Sequence, residues 1–173
     1  MIGGYIVKKR PVLFLWLMFI TSLLTLPFLG WKAFKRFLPG TLFTAGIMMI
    51  ESLLAVKFNW WKIFKKIPPY FINEFAFMAG PFFAGPLWIL RLTYGRFFLY
   101  FVLNAVTDAV LVYPMNYFFE HIGILKMKKM NRHQLYVLCV AEAVLMYGFQ
   151  WLWENLMKKK KEEDEITLQS PIP

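Results

Sequence analysis

A chain of 173 residues that is 59% hydrophobic and 20% aromatic, with a mean hydropathy of +0.50, is too short and too apolar to bury its side chains inside a soluble domain. Its net charge of +10 comes from lysine and arginine clusters between and beyond the apolar stretches, which indicates juxtamembrane loops rather than a nucleic-acid-binding patch. The single cysteine, Cys139, excludes an intramolecular disulfide.

The apolar stretches predict five membrane-spanning helices, because a bilayer core of about 30 Å requires about 20 helical residues. We therefore predict an all-α, polytopic transmembrane helix bundle over residues 1–155. The residues that follow, 156–173, carry a lysine run, an acidic run and a polar end, and they predict a disordered tail. The predicted spans, in chain order, are residues 12–30, 39–58, 69–90, 97–119 and 134–154.

The ends of the chain bear on its location and orientation. The first apolar stretch follows a basic start, as in a signal peptide, but it is too long and lacks a small-residue exit, so we expect an uncleaved helix in the cell membrane. With five spans, the N-terminus and the second and fourth loops share one side, which holds slightly more basic residues than the other. This bias predicts a cytoplasmic N-terminus, and its small size also permits dual insertion as an antiparallel dimer.

The third predicted span contains two Gly-Pro steps near its middle, Gly80-Pro81 and Gly85-Pro86. Each proline lacks an N–H and clashes with the carbonyl four residues earlier, so backbone acceptors are freed beside glycine. Interrupted helices of this kind build ion or substrate sites in transporters. The alternative is a kinked helix that packs closely through a small-residue face.

One acidic residue lies in the interior of each of the last four predicted spans, and no lysine or arginine lies in those interiors to pair with it. Measured from the side of the second and fourth loops, the four carboxyls lie at roughly similar depths of 8 to 16 Å. Because a charge facing lipid is costly, we expect the helices to turn these residues inward. The acids are Glu51, Glu74, Asp108 and Glu142, and we add the nearby Asn73 and Asn104 to the candidate set.

These acids have two interpretations. Burial without a paired cation favours the protonated form of a carboxyl, and neighbouring carboxyls favour it further, so a cluster of them can load protons or a small cation. Alternatively, protonated acids act as interhelical glue by donating hydrogen bonds to amide side chains. The amides available for this are Asn73, Asn104, Asn116 and Gln150.

Catalytic motifs are lacking in the sequence, so we predict neither an enzyme nor a bound cofactor. The two histidines flank the fourth loop, and a zinc site made from Glu120, His121, His133 and Cys139 would have no recognised spacing. We expect no metal site. The methionines are scattered along the chain, which favours packing or lipid-facing roles.

The segments from Trp88 to Tyr100 and from Tyr147 to Gln150 resemble a family of small, uncharacterised polytopic membrane proteins of Gram-positive bacteria. The resemblance implies a membrane location and no activity. Two functions therefore remain open: a proton- or cation-handling transport unit that forms a homo-oligomer, or a structural or accessory subunit that binds another membrane protein through aromatic faces. Both have the lipid bilayer as a partner.

Overall fold

The computed structural model describes residues 11–70 and 73–169, with side chains up to residue 165. Helices dominate the described chain, and a π-helical turn, Leu111–Met115, joins the sixth helix to the seventh. Two short strands, β1 (Trp61–Ile63) and β2 (Leu125–Met127), lie in the second and fourth loops. The helices are α1 (Pro11–Leu24), α2 (Leu26–Leu29), α3 (Trp31–Phe58), α4 (Phe75–Met78), α5 (Pro81–Thr93), α6 (Phe97–Val110), α7 (Asn116–His121) and α8 (Arg132–Gln169).

Five helical stretches in the described chain are long and apolar enough to cross a bilayer, which agrees with the predicted all-α bundle of five apolar helices. The second stretch begins earlier than predicted and includes Pro39, and the third begins later, after Glu74. We call them the first to fifth spans: Pro11–Leu29, Trp31–Phe58, Phe75–Thr93, Phe97–His121 and Arg132–Glu165.

The tail differs from the prediction of disorder, because α8 continues without a break to Gln169. Lysine and glutamate are good helix formers, and their runs are offset by four residues. This spacing places Lys159 Nζ 3.9 Å from Glu163 Oε1 and Lys161 Nζ 3.9 Å from Glu165 Oε1, one helical turn apart. The part of the prediction that concerns residues 170–173 lies outside the described residues.

The two strands tie the second loop to the fourth. They pair antiparallel, with Trp61 opposite Met127 and Lys62 opposite Lys126. Alternate residues of a strand point to opposite faces, so the exposed lysines lie on the outer face of this small sheet and the flanking residues lie on its inner face. The second and fourth loops therefore share one end of the bundle, as expected where two consecutive spans separate them.

Two apolar clusters form the core. The first lies near the two strands, and the second joins residues of all five spans toward the opposite end. Among the fully buried side chains, Leu15 and Ile124 belong to the first cluster, and Leu87, Leu90 and Tyr100 to the second.

Candidate functional site

A cavity of about 210 Å³ lies on the inner side of the β1–β2 sheet, with residues of all five spans in its wall. Most of the wall is apolar. A smaller cavity of about 60 Å³ adjoins it, and Glu142 and Cys139 line both. Three of the predicted acids, Glu51, Glu74 and Glu142, line the larger cavity, and Asp108 lines the smaller one.

Glu51 on α3 and Glu142 on α8 line the same cavity and interact electrostatically with each other, so we treat them as a carboxyl pair. The residue Glu142 is 8% exposed, and its Oε1 atom has no hydrogen-bond partner among the described residues. Two neighbouring carboxyls in an apolar setting cannot both carry a charge cheaply. The pair is therefore suited to holding a proton or a cation between its members.

Glu74 has a different environment from the one predicted. It lies immediately before α4 rather than inside a span, because the helix begins only at Phe75. The hydroxyl of Ser52 donates to Glu74 Oε2, and the Trp61 indole Nε1 donates to Oε1 at 2.7 Å. Glu74 thus joins the second span to β1, and both of its carboxyl oxygens accept a hydrogen bond.

In the smaller cavity, Asp108 and Asn104 lie one turn apart on α6. The amide of Asn104 donates from Nδ2 to the carbonyl of Tyr100 at 2.9 Å. Asp108 Oδ2 is buried and lacks a hydrogen-bond partner in the described part of the chain. Asn104 and Asp108 therefore face the protein interior, and the Asp108 carboxyl keeps an unused acceptor.

Two of the amides predicted to accept hydrogen bonds from the acids have other partners. Asn73 Oδ1 accepts a hydrogen bond from Lys66 Nζ. Gln150 lies in the opposite half of the bundle, where its Oε1 accepts from the Gly40 N–H at 3.1 Å and its Nε2 donates to the Arg36 carbonyl at 2.9 Å. Helical spacing does not show how far apart two residues of different helices lie, and this explains both differences.

Around Gln150, charged side chains complete a polar cluster that joins the second span to the fifth. Arg36 forms an ion pair with Glu154, with Nε 2.7 Å from Oε1, and the guanidinium lies 5.0 Å from the Tyr94 ring centroid. Burial, followed by the nearby Glu154 carboxylate, raises the pKa of Tyr94 to about 12, so this phenol stays neutral at physiological pH. All these groups have partners, which is the arrangement expected of interhelical glue.

The helix of the third span is interrupted over fewer residues than its two Gly-Pro steps predict. The break lies between Met78 and Pro81, and Pro81 occupies the first turn of α5, where its missing N–H breaks no helical hydrogen bond. Pro86 lies inside α5. A Cβ added at Gly80 would lie 2.6 Å from the carbonyl oxygen of Ala76, so this glycine permits a close turn of the backbone. These contacts favour the packing interpretation, although Pro81 itself lines the larger cavity.

Sequence reasoning missed the π-helical turn in the fourth span, for which Pro114 was the available signal. In an uninterrupted α-helix, Asn116 would point about 120° away from Asn104, because each residue turns the helix by about 100°. A π turn holds one extra residue, which brings Asn116 to within about 20° of Asn104. Asn116 consequently lines the larger cavity, where it is 6% exposed and its Oδ1 atom has no described partner.

The convergence of methionines was also missed, because they are far apart in sequence. Thioether side chains are flexible and polarizable, and they adapt to bound ligands of varied shape. Phe77, Phe82 and Phe119 complete much of the remaining wall. The methionines that line the larger cavity are Met18, Met48, Met78, Met115 and Met127.

The residues of the conceivable zinc site do not meet. Glu120 accepts a hydrogen bond from the Met127 N–H at 2.8 Å and pairs with Arg132, and His133 Nδ1 lies 2.8 Å from the Tyr113 hydroxyl. Over residues 11–70 and 73–169, no three His, Cys, Asp or Glu side chains are grouped so that they could hold a metal ion.

Comparisons with protein-family models, curated proteins and solved structures gave no match to this chain.

Proposed function

We propose that this protein is a multi-pass integral membrane protein that handles protons or a small cation through the carboxyls of its two cavities. The membrane part of the proposal rests on the outer surface of the helices. Large apolar side chains such as Phe28, Leu53 and Phe98 are 78%, 69% and 80% exposed. An apolar exterior around a bundle of this length suits acyl chains rather than water.

The Glu51–Glu142 pair is the main observation that supports the handling of protons or cations. Its two carboxyls come from different spans, they line a cavity, and Glu142 has an oxygen without a hydrogen-bond partner among the described residues. Acidic residues of this kind inside a membrane bundle mark proton relays and ion pathways. A proton shared by the pair can be exchanged for a cation without placing two uncompensated charges in the bilayer.

In the accessory-subunit alternative, the acids only hold the helices together through hydrogen bonds. The carboxyls of the chain differ in whether their oxygens have such hydrogen bonds. Glu74 and Glu154 have their oxygens engaged by donors from other helices or strands. Glu142 and Asp108 each keep a buried oxygen without a described partner. Buried polar groups that serve only stability normally have hydrogen-bond partners. The unpartnered oxygens of Glu142 and Asp108 therefore favour a functional site.

Proton or cation flux in proteoliposomes tests the proposal. Glu142→Gln and Glu51→Gln keep the side-chain volume but remove the ionisable group, so each should lower the flux by roughly tenfold or more while the variant still folds. Glu162→Gln, on the exposed tail, is the matched control and should behave as the wild type. Wild-type flux that both cavity variants retain would favour the accessory role.

A further inference from the structure

We infer that the larger cavity binds a small lipophilic organic cation, of the alkylated or quaternary ammonium class, with its charge beside the Glu51–Glu142 pair. The inference rests on the proposed function, since it names the kind of cation that the site would handle. It depends on the charge, the chemistry and the size of the cavity wall.

The charge of the wall selects a cation. Three carboxyl side chains reach the cavity, and no lysine or arginine lines it in the part of the chain that the structure describes. Among the acceptors of the wall, Glu142 Oε1 and Asn116 Oδ1 each lie on a residue more than nine-tenths buried and have no described partner. Hydrogen-bond acceptors without donors in an apolar cavity favour a ligand that is positively charged or that donates hydrogen bonds.

The chemistry of the wall argues against a bare inorganic ion. Hard cations such as Mg²⁺ and Ca²⁺ require about six or more oxygen ligands to replace their hydration shell. The cavity offers few free oxygens, because Glu74 is already held by Ser52 and Trp61. Most of the remaining wall is carbon and sulfur.

An ammonium ion that carries its own apolar groups matches this wall. Its substituents would contact the five methionines, whose flexible thioethers adapt to ligand shape. Its charge would be attracted both by the carboxyl pair and by the faces of nearby aromatic rings. The wall supplies such rings from Trp61, Phe77, Phe82 and Phe119.

The size of the cavity limits the ligand. An apolar cavity of about 150 Å³ in another protein admits benzene, so the 210 Å³ here suits a ligand with on the order of ten non-hydrogen atoms. Phenyltrimethylammonium has this size. Its carbon analogue tert-butylbenzene has the same shape without the charge, which makes the two compounds a matched pair of probes.

Equilibrium dialysis of radiolabelled phenyltrimethylammonium against the purified full chain in detergent measures binding. We expect saturable binding, with tert-butylbenzene competing only at concentrations at least about tenfold higher, because the carboxyl pair attracts the charge. Glu142→Gln and Glu51→Gln should each weaken binding by about tenfold or more, and Glu162→Gln should leave it unchanged. Equal competition by tert-butylbenzene, or no saturable binding by the wild type, would overturn the inference.

The single cysteine locates the bound probe without any substitution. Cys139 lines both cavities, and methyl methanethiosulfonate converts its thiol into a methyl disulfide. Phenyltrimethylammonium at about ten times its dissociation constant should slow this reaction by about tenfold, since only the unoccupied protein reacts. Saturable binding that leaves the Cys139 rate unchanged would place the ligand elsewhere and reject this cavity.

The same probes separate this inference from the proposed function. Flux of protons or inorganic cations that depends on Glu142, with no binding of phenyltrimethylammonium, would reject the organic cation and leave the proposed function standing. Binding and Cys139 protection in a protein that shows no flux of any of these ions would support the cation site and reject the transport role.

Discussion

At the residue scale, Gly40 and Gln150 show how a polar side chain stabilises a proline-containing helix. Pro39 cannot donate a backbone hydrogen bond, and the Gln150 amide bonds to backbone groups on both sides of it, at Arg36 and Gly40. Gln150 is fully buried, so its hydrogen bonds are not replaced by water. This contact explains how the helix of the second span can begin at Trp31, before the predicted start at residue 39.

Gly40→Ala is expected to destabilise the protein, and Gly46→Ala in the same helix is not. A Cβ at residue 40 would lie 2.8 Å from Gln150 Oε1, which forces the amide out of place at a cost of about 1–3 kcal/mol. A Cβ at residue 46 meets nothing within 4 Å, and alanine there should stabilise the helix by about 0.5–1 kcal/mol. Unfolding in detergent measures both, and equal effects would contradict the proposed contact.

Single residues also show how far the candidate site can be predicted. Glu51, Asp108 and Glu142 are recognisable because an unpaired acid in an apolar stretch is costly wherever it lies. Glu74 is predicted inside a helix that begins one residue later, and Gln150, a predicted hydrogen-bond partner of the acids, lies in the other half of the bundle. Their partners come from other helices and strands, and no local pattern specifies which faces meet.

At the scale of elements, the five helices were predictable and their irregularities were not. Hydropathy is a local property, so it predicts the existence of a long apolar helix. A proline in such a helix is compatible with a break, a kink or a π turn, and the choice depends on the neighbouring helices. Pro81, Pro86 and Pro114 show three different outcomes here: a helix start, a position inside a helix and a π-helical turn.

Pro114→Ala tests whether the π turn positions Asn116. Alanine permits a regular α-helix, which would turn Asn116 away from the larger cavity by about 100°. We expect unchanged or higher stability together with weaker protection of Cys139 by phenyltrimethylammonium. In that background, Asn116→Leu should have little further effect on protection, whereas in the wild type it should reduce it; independent effects of the two substitutions would contradict the coupling.

For the whole molecule, we expect five alternating spans to place the two ends of the chain on opposite faces of the membrane. The strands hold the second and fourth loops at one end, while the Arg36–Glu154 pair lies in the other half of the bundle. The sequence predicted this alternation from hydropathy alone. It did not predict the sheet, because strands of three residues between helices leave almost no periodic signal.

Cysteine labelling in sealed vesicles tests this topology. In a Cys139→Ser background, cysteines at Lys62 and Lys126 should react with an impermeant reagent from one face, and cysteines at Lys32 and Lys159 from the other. Reaction of all four positions from a single face in a uniform population would reject five spans. Reaction of every position from both faces would indicate dual insertion.

Infrared titration of the carboxyl stretch shows whether the cavity carboxyls hold a proton that a cation can replace. We predict a protonated-carboxyl band at about pH 7 that is equally strong in the wild type and in Glu162→Gln and weaker in Glu142→Gln or Glu51→Gln. Saturating phenyltrimethylammonium should diminish the same band. If all carboxyls of the wild type are already ionised at about pH 5, the Glu51–Glu142 pair holds no proton and the proposed exchange of a proton for a cation is wrong.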